Sequence, residues 1–100
     1  GYTWYAKSYW QTHVNTTCKL MLLTYIFETL EYQTVGWRTD IENHRSQNAI
    51  ERLGAKKDGI IRGSRVRRDG VISDTVMYSL LKSEWPQVKV ALTNKLDKIY

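Results

Sequence analysis

The stretch Gln33-Thr34-Val35-Gly36-Trp37-Arg38-Thr39-Asp40-Ile41 decides the fold. In an extended chain Val35, Trp37, Thr39 and Ile41 share one face, and Thr34, Arg38 and Asp40 share the other. This period of two, rich in β-branched and aromatic residues, predicts a strand buried on one side. Upstream the period changes. From Thr16 to Leu30 apolar residues crowd most of a helix and leave Thr17, Thr24, Glu28 and Glu31 as a polar stripe. That spacing predicts a mostly buried helix, capped by Asn15 or Thr16, with Cys18 as an inert thiol on its apolar side. The first six residues, aromatic and threonine-rich, read as another strand. A strand, a helix and a strand in succession normally place the two strands parallel.

Downstream of the deciding strand, Ser46 is expected to cap a short helix running to Leu53. Its inner face is Ala49, Ile50 and Leu53, and Gly54 ends it. Residues 59–67 and 71–81 alternate around Arg68-Asp69-Gly70, whose Asp-Gly pair signals a hairpin. Ser83-Glu84-Trp85-Pro86 opens a last helix with Pro86 in its first turn and Trp85, Val88, Leu92, Leu96 and Ile99 as its stripe. The order strand, helix, strand, helix, two antiparallel strands, helix predicts a mixed α/β sheet. Free amides at the first strand-to-helix turn would face an anion by construction.

One hundred residues suffice for one hydrophobic core, and no repeat or linker divides them. The longest apolar run, Leu20 to Leu23, is far too short to span a bilayer. A single cysteine and the lack of a visible secretory leader lead us to expect a reducing, cytoplasmic setting without a metal site. The net charge of +5 favours anionic partners. Lys56, Lys57, Arg62, Arg65, Arg67 and Arg68 concentrate much of that charge in a segment with Asp58 as its only acid.

Several strings, taken in order, resemble one family. They are Tyr5-Ala6-Lys7-Ser8, Thr12-His13-Val14-Asn15-Thr16 before Lys19-Leu20, Thr39-Asp40, Asn43-His44-Arg45-Ser46 and Ala49-Ile50-Glu51-Arg52-Leu53-Gly54-Ala55, then Arg68-Asp69-Gly70, Asp74-Thr75, Tyr78-Ser79 and Glu84-Trp85-Pro86. Collinear over almost the whole chain, they resemble the Gcn5-related N-acetyltransferases (GNAT), in the branch of the ribosomal-protein alanine acetyltransferases. The resemblance implies the C-terminal half of that fold, order β-α-β-α-β-β-α, as a single partial domain without its first strands and helices. It implies a chain that binds acetyl-CoA and serves direct acetyl transfer to a primary amine, such as a protein N-terminus or a small amine. It also implies that Gly1–Ala6 is a strand with a missing neighbour, so a homodimer formed by edge pairing or strand exchange is expected.

On the same resemblance, Tyr5 and Ala6 flank the pantetheine gap, and Gln11, Thr12, His13, Val14, Asn15 and Thr16 form the pyrophosphate loop. His13 and Asn15 stand there where the family usually has small residues. Asn43 corresponds to the asparagine that hydrogen-bonds the cofactor, while its residue chemistry equally suits an Asx turn. On charge alone, Arg45 or the basic segment 56–68 would help attract the phosphorylated end of CoA. The family's general-acid tyrosine, seven residues beyond Asn43, is replaced by Ile50. Ser46 is therefore the remaining catalytic candidate, as proton donor to the departing thiolate or simply as helix cap. Neither His13 nor His44 matches a general-base position. Two alternatives stand beside this reading: a non-catalytic acetyl-CoA-binding module, and a small basic nucleic-acid-binding domain, for which no RNP, KH or helix-turn-helix string speaks.

Overall fold

The computed structural model describes residues 3–6 and 16–99, with side chains through Leu96. Strand β1 (Thr3–Tyr5) is followed by helix α1 (Thr16–Thr24), whose last turn widens into a π-turn over Tyr25–Thr29, then by β2 (Thr34–Asp40) and α2 (His44–Leu53). Strands β3 (Lys56–Val66) and β4 (Ile72–Leu81) form a hairpin. A short 3₁₀ turn, Lys82–Glu84, leads into α3 (Trp85–Ile99). The strands make one mixed sheet in the order β1-β2-β4-β3, with β1 parallel to β2 and the other pairs antiparallel.

The expected alternation of β2 is present: Val35, Trp37 and Thr39 are buried, as are their β4 partners Leu80, Tyr78 and Val76. Ile41 lies just past the strand and is half-buried. All three helices press on that face. Leu23, Ile26 and Phe27 come from α1 and its π-turn, Ile50 and Leu53 from α2, and Trp85, Val88 and Leu92 from α3. Phe27 stacks on Trp85 with ring centroids 5.4 Å apart, and Glu28 accepts hydrogen bonds from Trp85 Nε1 and Lys89 Nζ, both at 2.8 Å. At 17 Å in its thinnest direction, the molecule has the depth of one sheet and one helix layer.

Three expectations are corrected. Helix α1 is not mostly buried: only its sheet-facing stripe is covered, Met21 is 67% exposed, and Cys18 is exposed rather than buried. Its apolar residues encircle the helix, and a single flat sheet can cover only one side. The hairpin begins at Lys56, three residues before the alternation at 59 suggested, because a bulge at Asp58 shifts the period. Ser46 does not cap α2. Asn43 does, its Oδ1 accepting from the Ser46 N–H at 3.1 Å, because the turn after β2 leaves Asn43 at a non-helical φ of −84° and ψ of 75°.

Other stop signals act as read. Gly54 ends α2 at φ 111°, where a β-carbon would also meet the Val88 side chain at 2.9 Å. Asp69 Oδ1 accepts from the Val71 N–H at 3.0 Å in the hairpin turn, and Gly70 takes φ 84°. Helix α1 instead exits through Glu31 at φ 57°, a left-handed residue with a side chain.

Candidate functional site

The Ala6 N–H donates to the Gly36 carbonyl at 2.9 Å, which is the last pairing of β1 with β2 among the described residues. Strand β2 continues to Asp40. Because Gly36 turns its carbonyl toward β1, alternation turns the N–H and C=O of Arg38 the same way, with no strand there among the described residues to receive them. This end of the β1–β2 pair is built by close approach. Tyr5 lays its ring across Gly36, where a β-carbon would come within 2.6 Å of Tyr5 Cε1. The Arg38 guanidinium sits over the same ring, 4.6 Å from its centroid.

Strand β2 then turns sharply into α2 through a closed set of hydrogen bonds. Asp40 Oδ1 accepts from the Glu42 N–H at 2.9 Å, so the Asx turn belongs to Asp40 rather than to Asn43. The Asp40 carbonyl accepts from the Asn43 N–H at 3.0 Å. Gln47, buried in α2, sends its Nε2 back to the carbonyls of Asp40 and Ile41 at 3.1 and 2.8 Å. From the hairpin, Arg67 grips Asp40 with Nε at 3.2 Å and Nη2 at 2.8 Å, and Ser73 Oγ donates to the same carboxylate at 2.9 Å. The Arg67 hydrogen bonds, followed by the Glu42 amide, hold the Asp40 carboxyl far below the usual carboxylate range.

On this fixed turn stands Ser46, 1% exposed, whose hydroxyl has no hydrogen-bond partner. Thr39 Oγ1 on the helix-covered face of β2 is buried in the same condition. Buried hydroxyls are normally satisfied, so these two, at the end of β2 and the start of α2, stand out among the described residues. Tyr78, by contrast, donates to Glu51 Oε2 at 2.7 Å, and burial, followed by that carboxylate, raises its pKa.

Of the residues predicted from sequence, Asn43 and Ser46 are joined by a hydrogen bond, and Arg45 and Thr16 line one cleft between the helices. Tyr5 and Ala6 stand across the sheet at the end of β1, and no hydrogen bond links them to Asn43 or Ser46. Gln11, Thr12, His13, Val14 and Asn15 lie outside the described residues. Sequence reasoning missed Thr39, whose signal was a hydroxyl at an apolar position of the alternation. It also missed Gln47, which no local pattern distinguishes. Among the described residues no group of His, Cys, Asp and Glu could hold a metal ion, and no helix is long and apolar enough to cross a membrane.

A mixed sheet whose parallel pair is joined through a helix, and whose remaining strands form an antiparallel hairpin, places the chain in the α/β class. The family model for the acetyltransferase (GNAT) domain matches residues 1–56, and the chain belongs to that family. A curated relative from Bacillus subtilis (strain 168), "Putative ribosomal N-acetyltransferase YdaF", is 36% identical over 85 residues, covering 85% of this chain and 45% of that protein. Among solved structures, a "putative acetyltransferase from T. thermophilus" is 42% identical with a TM-score of 0.76, over 90% of this chain and 48% of that one. A GCN5-related N-acetyltransferase from Brucella melitensis is 35% identical with a TM-score of 0.75, over 79% and 35%. The chain thus spans about half the length of the relatives it matches or less.

Proposed function

We propose that these 100 residues are the acetyl-CoA-binding portion of a GNAT-type N-acetyltransferase, which moves acetyl from acetyl-CoA to a primary amine. The observation that carries this is the match of residues 1–56 to the acetyltransferase (GNAT) domain, joined by a β2 that runs on to Asp40 past its last described pair with β1 and turns its Arg38 backbone toward the β1 side. The pantetheine amides would pair there with strand backbone. Tyr5 would contribute main chain only, because its ring is occupied by Gly36 and Arg38. Asn43, whose carbonyl oxygen is engaged as a cap, retains its amide N–H groups for the cofactor. Residues 11–16 would hold the diphosphate.

In the reaction the amine nitrogen bonds to the thioester carbonyl carbon, the C–S bond breaks, and the thiolate takes up a proton while the nitrogen loses one. The Ser46 hydroxyl, buried and without a partner, serves as hydrogen-bond donor to the leaving sulfur. The acceptor class we propose, a protein N-terminus, rests on the sequence motifs of the ribosomal-protein branch and on the printed name of the Bacillus subtilis relative. Strand β1 is a three-residue sheet edge, and we place the contact of a homodimer on it.

Titration calorimetry with acetyl-CoA tests the reading. Micromolar binding that survives moderate salt supports it. Binding only to an oligonucleotide, weakening steeply with salt, overturns it in favour of a basic nucleic-acid module. Binding without turnover on N-terminal peptides leaves the acceptor claim overturned and the cofactor claim intact. Light scattering at the same concentrations tests the dimer, which a strictly monomeric mass would refute.

A further inference from the structure

Strand β3 is the far edge of the sheet, with β4 and β2 between it and β1. Its register puts Lys57, Ile60 and Val66 on the side where the helices lie, because they pair with Tyr78, Val76 and Ile72. The helix layer does not reach that far. Val76 is buried, whereas Ile60, Ile72 and Val66 are 47%, 67% and 75% exposed. Three β-branched side chains thus form an apolar stripe with no helix over it. The charge around the stripe is unbalanced. Of the six cations in residues 56–68, Lys56 pairs with Glu84, and Arg65 and Arg67 pair with Asp40. No ion pair among the described residues uses Lys57, Arg62 or Arg68. The acids of the hairpin meanwhile turn to its own donors. Asp58 Oδ1 accepts from Ser79 Oγ at 2.9 Å, Asp74 Oδ1 from the Gly63 N–H at 2.8 Å, and Asp69 Oδ1 from the Val71 N–H at 3.0 Å.

Three kinds of occupant suit a sheet edge, and the side chains select one. A second copy pairing β3 with β3 would bring these cations face to face, which repels. A nucleic acid would meet the cations, yet no residue from Lys56 to Ile72 is aromatic, so no base could stack there, and the aliphatic stripe would stay uncovered. An acidic protein segment answers both features. We propose that β3 docks an extended acidic segment of another protein, whose alternate apolar side chains cover Ile60, Val66 and Ile72 while its carboxylates meet Lys57, Arg62 and Arg68. Two strands separate this edge from β1, so the docked segment and acetyl-CoA do not compete.

The probe is a fluorescent peptide alternating Glu and Val, about ten residues long to match β3, titrated with the 100-residue chain at about 0.1 M salt. We expect it to bind about tenfold more tightly than a peptide of the same composition with its Glu and Val residues in two blocks. Lys57→Gln with Arg62→Gln should weaken binding about tenfold. Ile60→Thr with Ile72→Thr should abolish the preference for alternation. All four positions are exposed, so both variants should keep the parent's circular dichroism. A control, Arg52→Gln with Lys95→Gln on the helices, removes the same net charge and should bind as the parent does. Equal binding of the two peptides, or equal weakening in the control, overturns the proposal. Displacement of the peptide by acetyl-CoA also overturns it, by placing the peptide in the candidate site. Preference for a single-stranded oligonucleotide that Ile60→Thr with Ile72→Thr leaves unchanged overturns it in favour of nucleic acid. Hydrogen-exchange protection of β3 in a dimer without peptide overturns it in favour of a second copy.

Discussion

Residues 35, 37 and 39 of β2 and residues 36, 38 and 40 beside them alternate along one strand, yet they build two surfaces of different kinds. Val35, Trp37 and Thr39 disappear under three helices, in a core completed by Val76, Tyr78 and Leu80. Gly36, Arg38 and Asp40 face away from the helices and work by directed contacts: a tyrosine ring on a glycine, a guanidinium over that ring, and a forked ion pair. The first face is held by burial, which is strong and has no preferred direction. The second is held by contacts that are individually weak and geometrically exacting. Stability resides mainly in the former, and the position of the candidate site in the latter.

The largest effect is expected where the helix-covered face is emptied. Trp37→Ala should cost about 3–5 kcal/mol in chemical denaturation, enough to unfold much of a domain this size. A loss under about 1 kcal/mol would mean that the two faces differ less than their burial suggests. Gly36→Val, on the open face, should cost about 1–3 kcal/mol by displacing the Tyr5 ring. Adding Tyr5→Ala should recover most of that loss, and a double variant no more stable than the single one would refute the ring-on-glycine account.

A smaller and pH-dependent change is expected for Asp40→Asn. The folded carboxyl is held below its unfolded value of about 3.9. Its contribution is therefore present above that pH and fades as pH falls below it. Melting curves from neutral pH down to about pH 3 should show the variant less stable at the upper end, with the gap beginning to narrow at the lower. A constant gap across the range would exclude ionisation as the cause. Glu31→Gly touches neither face and should raise stability by about 0.5–1 kcal/mol by relieving a left-handed side-chain residue.

What could be read from the chain was what depends on neighbours in sequence. The alternation around Trp37, the Asp-Gly turn and the stop at Gly54 each follow from residues a few positions apart. Asn43 caps α2, yet Asn43 and Ser46 are both good caps three residues apart, and periodicity does not choose between them. No glycine announced the exit of α1 at Glu31. Helix α1 looked buried because its composition is apolar, whereas burial depends on how much surface the rest of the fold can offer. The candidate site was legible only as a motif around Asn43 and Ser46. The grip of Arg67 on Asp40 joins distant segments, and nothing local signals it. The conspicuous basic run at 56–68 instead spreads along an exposed hairpin.

The fork between Arg67 and Asp40 also bears on how the chain finds its fold. The two residues are 27 positions apart, and Ser73, which shares the carboxylate, is 33 from it. Such contacts close only after the hairpin has formed and docked on β2, late in assembly. They tolerate no slippage. A shift of one residue between β2 and β4 would carry Asp40 into the apolar face and Trp37 out of it. The ion pair thus proofreads strand alignment, so that a chain which has misaligned β2 has both a buried charge and an exposed tryptophan driving it back.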